Sequence, residues 1–227
     1  MKERLLRFFP KFLIYVTVVV FSSCGIENYI YLAPVSPPNQ TSQDEIPVIL
    51  PNGDQPDIFF SGYSIYYKIY TSTTQPPTTV ITSSNFKDIN ETMASDYSKI
   101  APYLSADAVY SINMDAFFSG LNYYPLNIKD GTIVSLLNGT NSFFSLQKTN
   151  EFVININSAS YPLVRSVPNR PPFVYSSEIA GNDVNLIDSH TSAYALFFIF
   201  AFGVDEYGAS IFSRPTMLGV LQLPNQL

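Results

Sequence analysis

Apolar and polar residues alternate most clearly over residues 62–70, GYSIYYKIY. Tyr63, Ile65, Tyr67 and Ile69 fall on one face of an extended chain, and the residues between them fall on the other. A period of two among aromatic and β-branched residues is typical of a strand. The pattern therefore predicts a half-buried β-strand here.

The most apolar segment covers residues 193–204, AYALFFIFAFGV. Both of its alternating faces are apolar, which is typical of a strand that is covered on both sides of a sheet. It is well short of the about 20 residues that a membrane-spanning helix needs. We expect the central strand of a packed sheet here, and a closing edge strand with Pro215 over residues 211–223.

Residues 84–104 follow a helical spacing instead. Their apolar side chains recur every three or four positions, at Phe86, Ile89, Met93, Tyr97, Ile100 and Leu104. Ser84 is a candidate N-cap residue, and Pro102 is expected to break the helix. The sequence predicts one helical insert in this region.

Turn signals dominate residues 123–157. Asp130-Gly131 and Asn138-Gly139 are favoured two-residue turns because these residues adopt positive φ at low cost. They separate the apolar runs YYPLNI, TIVSLL and TNSFFSL, and the alternating run EFVININ follows. We expect a meander of three strands with a fourth strand after it.

The two ends of this region resemble a fibronectin type III domain. Residues 62–67, GYSIYY, are similar to the third strand of that family, and Ala201, Gly208, Ser213 and Pro215 fall where its last hairpin carries Ala, Gly and Ser-x-Pro. The resemblance implies a mainly β chain that forms an antiparallel β-sandwich of the fibronectin type III or immunoglobulin-like kind over residues 57–227. The helix and the hairpins would form an insertion at about residues 83–157.

The first 23 residues have the layout of a secretory signal peptide: a basic start, then an apolar run of ten residues from Phe12 to Phe21, then Ser22 and Ser23. An uncleaved anchor helix that begins near Leu5 is the alternative. Residues 24–56 are rich in proline, which predicts an extended stalk. The short apolar runs 29–35 and 46–50 remain candidates for edge strands.

Cys24 is the only cysteine, so no disulfide can form within one chain. The sequence FSSC-G around it resembles the processing site of bacterial lipoproteins, in the relaxed form found in spirochaetes. That resemblance implies that Cys24 is acylated and becomes the first residue of the mature protein. The alternative is an ordinary exported thiol near a cleavage site.

Charge excludes one class of partner. Four of the 12 basic residues and one of the 18 acidic residues precede Cys24, which leaves eight bases against 17 acids and a net charge of −9. Phosphate backbones would repel such a surface, so we expect no direct nucleic-acid binding. The expected membrane contact runs through the lipid on Cys24.

Few residues suggest chemistry. A single histidine, His190, and a single cysteine do not make an ordinary zinc site, so we expect no metal and no cofactor. Neither a nucleophile elbow nor a phosphate-binding glycine loop occurs in the sequence. We therefore expect no enzymatic activity and no catalytic residue.

The 16 tyrosines suggest a contact surface, because tyrosine is a common interface anchor. Tyr66, Tyr70, Tyr123 and Tyr124 are the candidates, and a second packed face of the sandwich is the alternative. The leading hypothesis is a non-enzymatic cell-envelope lipoprotein that faces the periplasm or the cell surface and binds a partner protein or supports an assembly. The alternatives are a small-ligand-binding lipoprotein that serves a transporter, and an envelope hydrolase with paired carboxylates.

Overall fold

The computed structural model describes residues 32–51, 59–72, 80–82, 84–88, 91–104, 112–137, 142–167, 172–174, 181–185 and 192–224. The chain divides into two compact units, residues 1–30 and residues 31–227. All of the described residues belong to the second unit.

Two long antiparallel strands form the centre of the domain. Strand β2 covers Phe60–Ser72 and strand β10 covers Ser192–Val204, each 13 residues long. Both predicted strands are thus confirmed. The pattern predicted a half-buried strand, but β2 is buried on both faces. Tyr67 and Ile69 are buried on one face, and Tyr66 and Tyr70 are buried on the other.

The sheet around this pair, here the inner sheet, runs in the order β11–β10–β2–β3. Strand β3 (Tyr124–Pro125) and the parallel strand β9 (Val184–Asn185) pair with β2. Strands β11 (Ser210–Phe212) and β12 (Thr216–Gln222) pair with successive parts of β10. They form the closing edge that the sequence predicts, and Pro215 lies in the short gap between them.

The outer sheet is antiparallel, in the order β1–β6–β7–β8–β4–β5. Its strands are β1 (Glu45–Ile49), β4 (Asn127–Ile128), β5 (Gly131–Thr132), β6 (Phe143–Lys148), β7 (Phe152–Ile156) and β8 (Ala159–Val164). The two sheets make the chain a mainly β, antiparallel sandwich, as expected. The specific resemblance to fibronectin type III domains stays a prediction.

The predicted meander is partly wrong. The run TIVSLL contains a short helix, α3 (Ile133–Leu136), because the Thr132 side chain caps it by accepting a bond from the Ser135 N–H. The actual meander is β6–β7–β8. The last hairpin turns at Asn157 and Ser158, both with positive φ of 49° and 68°, as a two-residue hairpin turn requires. The pair Asn138-Gly139 lies outside the described residues.

Helices cover the second face of the inner sheet. A 3-10 turn at Phe86–Asp88 precedes α1 (Glu91–Leu104), and α2 (Met114–Gly120) follows. This confirms a helical insert, although Pro102 lies inside the last turn of α1 rather than ending it. The helices share one buried cluster with the inner sheet, so the domain has three layers.

The sequence predicts an extended stalk over residues 24–56, but part of this segment is packed against the domain. Residues 45–49 form the edge strand β1, which was the alternative for this segment. Before it, the Gln40 side chain bonds both backbone groups of Val220 on β12: Nε2 donates to the carbonyl at 2.6 Å, and Oε1 accepts from the N–H at 3.1 Å. Leu32 and Val35 are buried as well. Residues 32–50 therefore belong to the folded domain.

Candidate functional site

Four large apolar side chains are exposed in the part of the chain that the structure describes. The exposed fractions are 71% for Ile49, 47% for Phe143, 41% for Val204 and 86% for Tyr207. Ile49 and Phe143 are direct partners across β1 and β6. Val204 ends β10, and Tyr207 lies in the turn that joins β10 to β11. We call the end of the domain that carries Val204 and Tyr207 the Tyr207 end.

A contact between the sheets places the C-terminal end of β6 near the start of β10. At the far end of β6, the Lys148 Nζ donates to Oε1 of Gln222 at 3.5 Å. Gln222 pairs with Tyr194, near the start of β10. The four exposed apolar side chains thus form two pairs, Ile49 with Phe143 on the outer sheet and Val204 with Tyr207 at the end of β10.

The N-terminal segment follows β12 from Val35 to Gln43. Its contacts follow β12 in order: Val35 O accepts from Thr216 Oγ1 at 2.5 Å, Gln40 bonds Val220, and Gln43 O accepts from the Gln222 N–H at 3.4 Å. The segment therefore runs along β12 away from the Tyr207 end.

Acidic residues shape the turn at the Tyr207 end. Oδ1 of Asp205 accepts hydrogen bonds from the N–H groups of Tyr207 at 2.9 Å and Ala209 at 2.7 Å. Gly208 has a φ of 81°, which glycine adopts without strain. A hydrogen bond to Glu206 and its charge raise the pKa of the exposed Tyr207 hydroxyl. The turn therefore presents an aromatic ring flanked by two acids.

A buried ion pair joins helix α1 to the inner sheet. The Lys68 Nζ lies 2.8 Å from Oδ2 of Asp96 and also donates to the Leu121 carbonyl at 2.9 Å. The same Asp96 oxygen accepts from the Tyr70 hydroxyl at 2.5 Å, and that hydroxyl lies 2.8 Å from the Tyr123 hydroxyl. Each charge is thus surrounded by polar partners, which a buried ion pair requires.

A second buried pair lies on the opposite face of β2. Asp183 accepts from Nε of Arg165 at 2.7 Å and from Nη2 at 2.5 Å, which is a bidentate arrangement. The Tyr67 hydroxyl donates to Oδ2 of Asp183 at 2.9 Å. Burial alone would lower the Arg165 pKa, but the hydrogen bond and charge of Asp183 outweigh it and raise that pKa. This cluster fixes β8 and the segment before β9 against β2.

Three of the four predicted surface tyrosines are buried, so that prediction is wrong for them. Tyr66, Tyr70 and Tyr123 have exposed fractions of 5%, 1% and 1%, while Tyr124 is half-buried. Helices α1 and α2 cover them, and the Tyr66 hydroxyl donates to Asp115 of α2 at 2.9 Å. The alternative, a second packed face, is what the structure has, although helices rather than a sheet cover it.

Four tyrosines have raised pKa values, and burial is the largest cause for each: Tyr66, Tyr67, Tyr70 and Tyr123. Nearby carboxylates raise these values further, because they repel a phenolate: Asp115 acts on Tyr66, Asp183 on Tyr67, and Asp96 on Tyr70 and Tyr123. These hydroxyls stay protonated and act as structural hydrogen-bonding groups.

Several predicted features fall outside the described residues, among them Cys24 and His190. Within the described ranges, no group of three or more His, Cys, Asp or Glu side chains is placed to hold a metal ion. None of the described helices is both long enough and apolar enough to cross a membrane.

Sequence reasoning missed both buried carboxylates. Asp96 carried a signal, because it lies three residues after Met93 and four before Ile100, on the buried face of α1. Lys68 carried the matching signal, since it lies between Tyr66 and Tyr70 on one face of β2. Asp183 had no comparable signal in its neighbours along the chain.

The chain was also compared with known proteins. No protein-family model, curated protein or solved structure matches it.

Proposed function

We propose that this chain is a lipid-anchored protein of the cell envelope, and that its sandwich domain serves as a non-enzymatic interaction or structural module. The observation that carries the proposal is the N-terminal sequence: a basic start, an apolar run of ten residues, two serines and the only cysteine, Cys24. Acylation of Cys24 uses this thiol and gives the mature chain a stable anchor, because two or more acyl chains hold a protein at a membrane where one does not.

The position of the folded domain supports this proposal. Leu32 is already buried in the domain, and only residues 25–31 separate it from Cys24. A chain gains at most about 3.6 Å per residue, so the link extends no more than about 30 Å. Little chain therefore lies between the proposed acylation site and the first buried residue of the domain.

The packing of aromatic rings supports an interaction module over a ligand-binding one. The Phe118 ring lies 5.7 Å from Tyr66, 5.3 Å from Phe198 and 5.8 Å from Phe200, measured between ring centroids. These rings fill the space between α2 and the inner sheet. A ligand-binding domain would instead keep a sizeable apolar pocket with a few polar groups.

The two buried acids of the described chain do not form the carboxylate pair that the hydrolase alternative requires. Glycosidases need two carboxylates about 5–10 Å apart that face one substrate. Asp96 and Asp183, the two buried carboxylates of the described chain, lie on opposite faces of β2 and are each paired with a cation. They cannot approach one substrate together.

Metabolic labelling with palmitate tests the anchor. The full chain is expected to take up label, and Cys24→Ser is expected to take up none. Ser23→Ala is the matched control, because it alters the neighbouring position but keeps the thiol, and its labelling should equal that of the original chain. Equal labelling of Cys24→Ser and the original chain would show that the thiol is not the acylated group and would refute the proposal.

A further inference from the structure

We infer that Lys68 and Asp96 become joined by an amide bond between their side chains, which links strand β2 covalently to helix α1. This modification goes beyond the proposed function and does not depend on the acylation of Cys24. The Lys68 Nζ lies 2.8 Å from Oδ2 of Asp96, and the two side chains are only 8% and 7% exposed. The amine and the carboxyl group are thus held in contact away from bulk water. Fixing two reacting groups in contact removes much of the entropic barrier to bond formation.

Neighbouring groups hold the amine in place. The Lys68 Nζ donates to the Leu121 carbonyl at 2.9 Å. It also lies 5.5 Å from the ring centroid of Tyr70 and 5.4 Å from that of Tyr123, and both rings are buried. Where rings rather than water surround an ion pair, its charged and neutral forms lie closer in free energy than they do in water. A proton can therefore pass from Nζ to Oδ2 along their hydrogen bond, which leaves the neutral amine that amide formation requires.

The reaction releases one water molecule and needs no oxidant or co-reactant. After the proton has passed to Oδ2, the Nζ lone pair attacks Cγ of Asp96, so that the C–N bond forms and the bond from Cγ to Oδ2 breaks. The Tyr70 hydroxyl donates to Oδ2 at 2.5 Å, so it is placed to relay a proton from the amine to the leaving oxygen, which departs as water. One N–H remains on the amide nitrogen, and it can keep the hydrogen bond to Leu121.

Two other ion pairs show why this pair is chosen. The pair of Arg165 and Asp183 is equally buried, but a guanidinium stays protonated and offers no free amine. The pair of Lys148 and Asp44 has the amine, but its side chains are 22% and 67% exposed, and water keeps both groups charged. Only Lys68, among these three cations, combines an amine with burial against a carboxyl group.

Peptide mapping of the purified full chain by mass spectrometry tests the bond. Chymotrypsin cleaves after aromatic residues, so it releases Lys68 on residues 68–70 and Asp96 on residues 87–97. We expect these two peptides to appear as one species, with the sum of their masses less one water molecule. Fragmentation of that species should place the link at Lys68 and Asp96. Recovery of residues 68–70 and 87–97 only as separate, unmodified peptides would overturn the inference.

A matched pair of variants tests the position of the bond. Lys68→Arg keeps the positive charge but lacks the amine, so it should yield no linked species. Lys148→Arg makes the same substitution at the exposed pair and should yield as much linked species as the original chain. A linked species that persists in Lys68→Arg would place the bond elsewhere and would also overturn the inference. If Lys68→Arg does not fold, the peptide map of the original chain still decides whether the bond exists.

Discussion

Replacing Asp183 with asparagine is expected to destabilise the domain strongly. The carboxylate is fully buried and accepts three hydrogen bonds, two from the Arg165 guanidinium and one from Tyr67. Asparagine has nearly the same shape, so the substitution removes the charge with little change in packing. Its amide N–H₂ would also face the guanidinium, which has only donors to offer.

The magnitude follows from the burial of Arg165, whose side chain is 4% exposed. Removing one member of a buried ion pair costs about 3–5 kcal/mol, because the other charge stays buried without a partner. An exposed ion pair contributes about 0–1 kcal/mol. Asp44 provides that comparison, since it is 67% exposed and lies 3.3 Å from the Lys148 Nζ.

Urea denaturation of the purified protein, followed by circular dichroism, measures the free energy of unfolding. Asp183→Asn should lower it by about 3–5 kcal/mol and the matched control Asp44→Asn by less than about 1 kcal/mol. Adding Arg165→Met to Asp183→Asn should restore part of the loss, because it removes the unpaired charge. Equal unfolding midpoints for Asp183→Asn and Asp44→Asn would refute the reasoning.

Two other changes test separate features. Ser158→Gly should raise the unfolding temperature by about 2–4 °C, since it relieves about 1 kcal/mol of strain at a φ of 68°, and a lower temperature in a thermal scan would contradict this. Stability should fall as the pH rises above about 10, because the unfolded chain then ionises its tyrosines while the fold holds the pKa values of Tyr66, Tyr67, Tyr70 and Tyr123 higher. Tyrosinate absorbance at 295 nm should show these groups ionising only with unfolding; their ionisation in the intact fold would contradict the prediction.

The central strands could be predicted from sequence because their signal is local. Alternation in residues 62–70 and the unbroken apolar run 193–204 each specify an extended chain, whatever lies beside it. The helix α1 was also predictable, since its apolar residues repeat at helical spacing. The short helix α3 was not, because four residues are too few for a periodic pattern and its Thr132 cap is a single contact.

The sequence by itself determined the mainly β class, the helical insert and the motif around Cys24, because each depends on neighbouring residues. Only the tertiary structure decided that α1 and α2 cover the second face of the inner sheet, which buried three tyrosines predicted to be exposed. It also paired Lys68 with Asp96 and Arg165 with Asp183, and it brought Ile49 beside Phe143. The physical reason is the same in each case: these contacts join residues far apart in the chain, and no local pattern encodes which distant segment will supply the partner.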